Sequence, residues 1–126
     1  MAGDTDGFGR LMAAVTAPMG EQAEESLWLH LAVVGKISAD PDRVLVLAMQ
    51  NLRRLEQAEG GANPWHARWR TVLNGGVDAI IGVLTSRDME ATRLRLNSPF
   101  EGVLSRQETS QITEAFRRHR KQAHGR

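Results

Sequence analysis

Apolar residues recur along this chain at spacings of three and four. Most breaks between the recurring runs carry a capping residue followed by proline, or a glycine. Leu27, Leu31 and Val34, with Trp28 and Ala32 beside them, continue to about Ile37 and predict a helix starting near Glu21. Glu21, Glu24 and Glu25 there supply the negative charge that a helix N-terminus favours. Gly35 inside such a helix costs roughly 1 kcal/mol against Ala. The expectation is therefore an end near Lys36, or another backbone packed closely at that point.

Asp40 and Pro41 restart the chain as cap and first helical residue. Val44, Leu45, Leu47, Ala48, Met49, Leu52 and Leu55 then form a stripe wide enough to need partners on two sides, which predicts the central core helix, ending at Gly60 and Gly61. Asn63 and Pro64 open a third helix, with Trp65, Trp69, Val72 and Leu73 on one face and Asn74-Gly75-Gly76 supplying the left-handed backbone that ends it. Val77, Ile80, Ile81 and Leu84 make a short fourth helix. Thr85 or Ser86 is expected to cap a fifth, in which Met89, Arg93 and Leu96 align.

The stretch from Arg93 to Ser105 organises the C-terminal part of the chain. Ser98, Pro99 and Glu101 match a helix start, with Ser98 as cap, Pro99 at the first helical position and Glu101 closing a capping box around Phe100. Ser105 and Glu108 repeat the Ser-x-x-Glu pattern and open the last helix, Arg106 to about Gln122, which buries Ile112 and Phe116.

No segment alternates with period two over a useful length, so strands are not expected. The fold class read from the pattern is all-α, a compact bundle of five to seven short and medium helices. Residues 1–20 read as an acidic, partly disordered N-terminal segment in which Phe8, Leu11, Met12 and Val15 allow one short helix. Residues 21–122 read as the helical domain and 123–126 as a tail.

Composition narrows the function classes. At 126 residues, 41% apolar and 25% charged, the chain is one ordinary globular domain. The absence of cysteine removes disulfides, thiolate metal sites and a cysteine nucleophile. Apolar runs are too short for a membrane span and the start is acidic where a signal peptide is basic, so the expectation is a cytoplasmic protein without membrane contact. His30, His66, His119 and His124 show no paired ligand spacing, and no phosphate-cradling glycine loop follows a strand, so neither metal nor cofactor is expected. Asp78, Asp88 and Glu90 read as first-turn helix charges rather than a catalytic carboxylate pair. The reading is therefore non-enzymatic.

Net charge is only +1, but the two ends differ in sign: residues 1–25 carry five acids against Arg10, and residues 106–126 carry six Lys or Arg against Glu108 and Glu114. The run Arg117, Arg118, His119, Arg120, Lys121 raises the question of phosphate contacts. No aromatic interleaves it for base stacking, and cations in a last helical turn are favoured by the dipole alone. Nucleic acid therefore ranks below a protein partner, and opposite-sign ends also allow a homodimer. Trp65 and Trp69 beside Arg68 and Arg70 are the residue types that carry interface energy, while their i, i+4 spacing equally suits core packing.

The segments Leu29 to Ile37, Asp40 to Leu45 and Asn51-Leu52-Arg53-Arg54 appear in order, followed by Trp69 to Leu73, Asn74-Gly75-Gly76 and Ile80 to Leu84. They end in Leu94-Arg95-Leu96-Asn97-Ser98-Pro99-Phe100-Glu101-Gly102-Val103-Leu104-Ser105. This path resembles the C-terminal, partner-binding module of actinobacterial helix-turn-helix proteins that are antitoxin-like or regulatory, which carry a similar Leu-Arg-x-Asn-Ser-Pro-Phe-x-Gly-Val-Leu-Ser signature. Met1 to Ser26 is too short, acidic and glycine-rich to hold the DNA-binding helix pair. The resemblance thus implies the partner-facing half alone: an interaction module that neutralises a cognate toxin by stoichiometric binding. The candidate contacts are Trp65, Arg68, Trp69, Arg93, Arg95, Arg117, Arg118, Arg120 and Lys121. The alternative is a small nucleic-acid-associated regulator acting through the basic C-terminal helix.

Overall fold

The computed structural model describes residues 20–124, and the helix allowed over residues 8–15 lies outside them. Within the described residues six helices follow one another: α1 (Glu21–Ala39), α2 (Pro41–Glu59), α3 (Pro64–Asn74), α4 (Val77–Thr85), α5 (Met89–Leu96) and α6 (Arg106–His124). No strand occurs among the described residues. The fold is all-α.

The predicted joints account for most of the helix boundaries. Asp40 links α1 to α2 as a single residue, its N–H donating to the Lys36 carbonyl at 2.9 Å while Oδ1 accepts from the Arg43 N–H at 3.2 Å. Asn63 caps α3 through Oδ1, which accepts from the Trp65 N–H at 2.9 Å. The left-handed residue after α3 is Gly76, at φ 93°, whereas Gly75 stays right-handed at φ −77°. Neither Thr85 nor Ser86 caps α5. Asp88 does so, with Oδ1 accepting from the Ala91 N–H at 2.7 Å, and Ser86 supports it, its Oγ lying 2.9 Å from Asp88 Oδ2.

The expected helix start at Ser98 is absent. Residues 98–105 form a non-helical turn with Gly102 at φ 84°, a conformation glycine adopts without steric cost. Ser98 Oγ accepts from the Phe100 N–H at 3.1 Å, two residues on, which closes a serine turn instead of capping a helix. The second signal is a true capping box: Ser105 Oγ accepts from the Glu108 N–H at 3.0 Å, and Glu108 Oε1 accepts from the Ser105 N–H at 2.9 Å.

The central element is α1, which packs against α2, α4, α5 and α6, while α2, expected to be central, packs chiefly against α1 and α3. Leu27, His30, Val33 and Ile37 are the buried face of α1. The face is rotated from the expected one: Leu31 is 47% exposed and His30 occupies the inward position, because the buried side meets a polar turn as well as apolar side chains. Gly35 lies mid-helix, exposed, with open space where a Cβ would stand, so the helix neither ends there nor meets a close backbone.

Ala48, Leu52, Trp69 and Leu84 form the fully buried centre. Phe100 meets Trp69 edge to face at a ring distance of 5.4 Å, an arrangement that favours the aromatic quadrupoles. The last helix lies antiparallel along α1. Lys36 Nζ and Glu108 Oε2 are 2.5 Å apart at one end and Arg120 Nε and Glu21 Oε1 are 3.7 Å apart at the other, with Trp28 over the buried Phe116 ring between them. None of the described helices is long and apolar enough to cross a membrane.

Candidate partner-binding surface

Three helices pin the 98–105 turn. Asn51 Nδ2 of α2 donates to the Pro99 carbonyl at 2.9 Å and the Glu101 carbonyl at 2.7 Å, and its Oδ1 accepts from Arg54. From α1, His30 Nδ1 lies 2.7 Å from the Ser26 carbonyl, which can only accept, so Nδ1 carries the proton. Nε2 is then an acceptor, and the Ser98 hydroxyl donates to it at 2.8 Å. From α3, Trp69 Nε1 donates to the Leu94 carbonyl at 2.7 Å, fixing the end of α5 from which the turn departs. Serine and histidine at this distance invite comparison with a nucleophile and its base. Burial, however, lowers the His30 pKa to about 4, so the imidazolium that a general base must become is strongly disfavoured. Ser98 Oγ is also engaged by the Phe100 N–H. The pair acts as a lock on the turn.

Two of the residues expected at a partner surface are core residues instead. Trp69 is fully buried by Leu94 and Phe100. Arg95 is 2% exposed and donates through Nη1 to the carbonyls of Val83 at 2.8 Å and Ser86 at 2.5 Å, and through Nη2 to Thr92 Oγ1 at 3.3 Å. It satisfies the carbonyls at the end of α4 and joins them to α5. These contacts remove both side chains from the candidate surface.

The remaining candidates fall into two groups. In the first, α3 and α5 run antiparallel, tied by Arg68 to Glu90 at one end and by Asn63 Nδ2 to Asn97 Oδ1 at 3.2 Å at the other. With Ala91, Leu94 and Arg95 turned inward, the outward side of α5 carries Met89, Arg93 and Leu96. These do align as the periodicity predicts, but towards solvent: Met89 is 42% exposed, Leu96 45%, and Arg93 between them is exposed. On the neighbouring α3, exposed Arg68 reaches α5 through Glu90, and half-buried Trp65, packed in part against the core, stands about one turn before it. The surface thus combines two flexible or branched apolar side chains, a tryptophan edge and two guanidinium groups, one of them already held by Glu90.

The second group lies on α6. Arg117, Arg118 and Lys121 are exposed and form no ion pair with another described residue. Arg120 differs, half-buried with its guanidinium 5.9 Å from the Phe116 ring centroid and facing Glu21. Sequence periodicity aligned Met89, Arg93 and Leu96 on one side of α5 without placing that side towards core or solvent. The signal available was the alternative face, in which the small Ala91 and the leucine at 94 point inward with Arg95.

Comparison with known protein families, with curated proteins and with solved structures finds no match to this chain.

Proposed function

We infer that this chain is a protein-interaction module, antitoxin-like in its mode of action, that neutralises or regulates a partner protein by stoichiometric binding. The observation that carries the reading is the α5 face, where exposed Met89 and Leu96 flank Arg93 over two helical turns, with Trp65 and Arg68 alongside. Tryptophan, arginine and methionine are enriched at interface centres, and large apolar side chains exposed beside them gain most when a partner excludes water. Trp69 and the pinned turn hold the end of α5 in place, so little ordering entropy is lost on binding. The reading also agrees with the resemblance of the Leu94 to Ser105 segment to a partner-facing module.

Co-expression with the product of the adjacent open reading frame, followed by size-exclusion chromatography, tests this reading. A complex of fixed stoichiometry whose partner is toxic when expressed alone is the expected result. Separate elution of the two proteins at every salt concentration would remove the reading.

A second reading, a nucleic-acid-associated regulator, is favoured by the exposed cations Arg117, Arg118 and Lys121 on α6. Its test is duplex binding across a salt series. If these residues neutralise phosphates, replacing all three with Gln flattens the slope of log K against log salt by roughly one for each phosphate no longer neutralised.

A further inference from the structure

Helix α2 buries Val44, Ala48, Asn51 and Leu52 and turns its opposite side outward. At 100° per residue, Asp42, Val46, Met49 and Arg53 fall within about 60° of one another on that outer side, Met49 half-buried and packed in part against the core at its edge. Val46 is 56% exposed, more than any other large hydrophobic among the described residues. A shallow cavity of about 410 Å³ runs beside it, lined by Asp42, Arg43, Val46, Leu47 and Gln50. Asp42 and Arg53 are exposed and form no ion pair with another described residue. The stripe therefore reads acid, apolar, apolar, base along three turns, and no other described helix covers it.

We propose that this face is a homodimer contact, in which α2 packs antiparallel against α2 of a second copy about a two-fold axis passing between Leu47 and Ala48. Two-fold symmetry makes an interface self-complementary only if residues equally far from the axis, in opposite directions, suit each other. Asp42 and Arg53 are equally far from this axis, and so are Val46 and Met49. Each Asp42 then faces Arg53 of the second copy, each Val46 faces Met49 of the second copy, and both contacts occur twice. Parallel pairing would set Asp42 against Asp42 and Arg53 against Arg53. An acidic or a basic partner would match one end of the stripe only, whereas a second copy matches both. The charged positions lie about 8 Å along the helix from the axis, close enough to remain in register at ordinary helix crossing angles. One helix face buries less than the ~1,200 Å² of a standard interface, so the dimer is weak and depends on protein concentration.

Sedimentation velocity of the full chain, run from micromolar to millimolar concentration, reads the association directly. A monomer–dimer equilibrium is expected. Val46→Glu abolishes it, and Asp42→Arg or Arg53→Asp alone weakens it about tenfold, because each reversal turns two attractive pairs into repulsive ones. The decisive sample is a mixture of the Asp42→Arg chain with the Arg53→Asp chain. Every charged pair across that heterodimer is acid against base, so dimerisation returns. The recovery also shows that both variants are folded, and circular dichroism checks Val46→Glu. A monomer at all concentrations, a dimer indifferent to these substitutions, or a mixture that stays monomeric would each overturn the proposal, including the case in which another segment of the same chain occupies the stripe.

Discussion

His30 and Ser98 stand 68 residues apart in sequence and are joined by a 2.8 Å hydrogen bond that ties the middle of α1 to the turn between α5 and α6. The bond uses the only acceptor left on the imidazole, since Nδ1–H is given to the Ser26 carbonyl. Ser98→Ala therefore leaves a buried nitrogen without a donor and also frees the Phe100 N–H. The expected loss is about 1–3 kcal/mol, the cost of an unsatisfied buried polar group, read from urea unfolding midpoints. A loss below about 0.5 kcal/mol, the range of an ordinary surface change, would mean that the turn is held without this contact.

The same pair makes stability depend on pH. Burial lowers the His30 pKa from 6.5 to about 4, so the folded state binds the proton less readily than the unfolded chain. The contribution of neutral His30 is complete above about pH 6.5 and declines as pH falls from there to about 4, by an amount on the order of 3 kcal/mol. Glu108, held down to about 2 first by Lys36 and then by the Ser105 N–H, contributes stability above its ordinary value of 4.5 that is lost at lower pH. The windows differ. In an unfolding series across pH, His30→Gln should flatten the slope between pH 6.5 and about 4 while leaving the fall below that. An unchanged slope in that range would assign the proton uptake to another group.

Phe100 is 5% exposed, with its ring against Trp69 and His30, and Phe100→Ala is expected to cost about 3–5 kcal/mol. Asn51→Leu keeps the branched outline of the side chain but leaves the Pro99 and Glu101 carbonyls without their donor, an expected loss of about 2 kcal/mol. Chemical denaturation measures both. Ser105→Ala breaks one arm of the capping box at α6, at about 1 kcal/mol.

What the sequence made legible was its punctuation. Asp40-Pro41, Asn63-Pro64, Gly60-Gly61 and Ser105-x-x-Glu108 determine backbone locally, through hydrogen bonds within three residues, and each stands at a helix boundary as predicted. Ser98-Pro99 has the same local grammar yet ends in a turn, because Asn51 and His30, remote in sequence, bind its carbonyls and its hydroxyl in a non-helical arrangement. The inward place of His30 and Arg95 was hidden for a related reason. Each is buried on account of hydrogen-bonding partners that only the tertiary fold brings near. Periodicity aligned Met89 with Leu96 but did not place that side, since spacing cannot tell a core stripe from an interface stripe.

Met89→Ser, Leu96→Ser and Arg93→Glu all alter exposed positions of α5, so each should change unfolding free energy by about 0.5 kcal/mol or less. A loss of 2 kcal/mol or more at Met89 or Leu96, as for a buried side chain, would return that residue to the core and dissolve the surface.

The most direct test of the interaction reading is the affinity of the co-expressed partner for the Met89→Ser/Arg93→Glu chain, measured by titration calorimetry beside the unaltered chain and an Arg117→Gln/Lys121→Gln control. The account predicts at least about 100-fold weaker binding, from the loss of an apolar anchor and the reversal of a central charge, with the control within a few-fold of the unaltered chain. Equal affinity for the altered and unaltered α5 face, or a loss confined to the control, would contradict it.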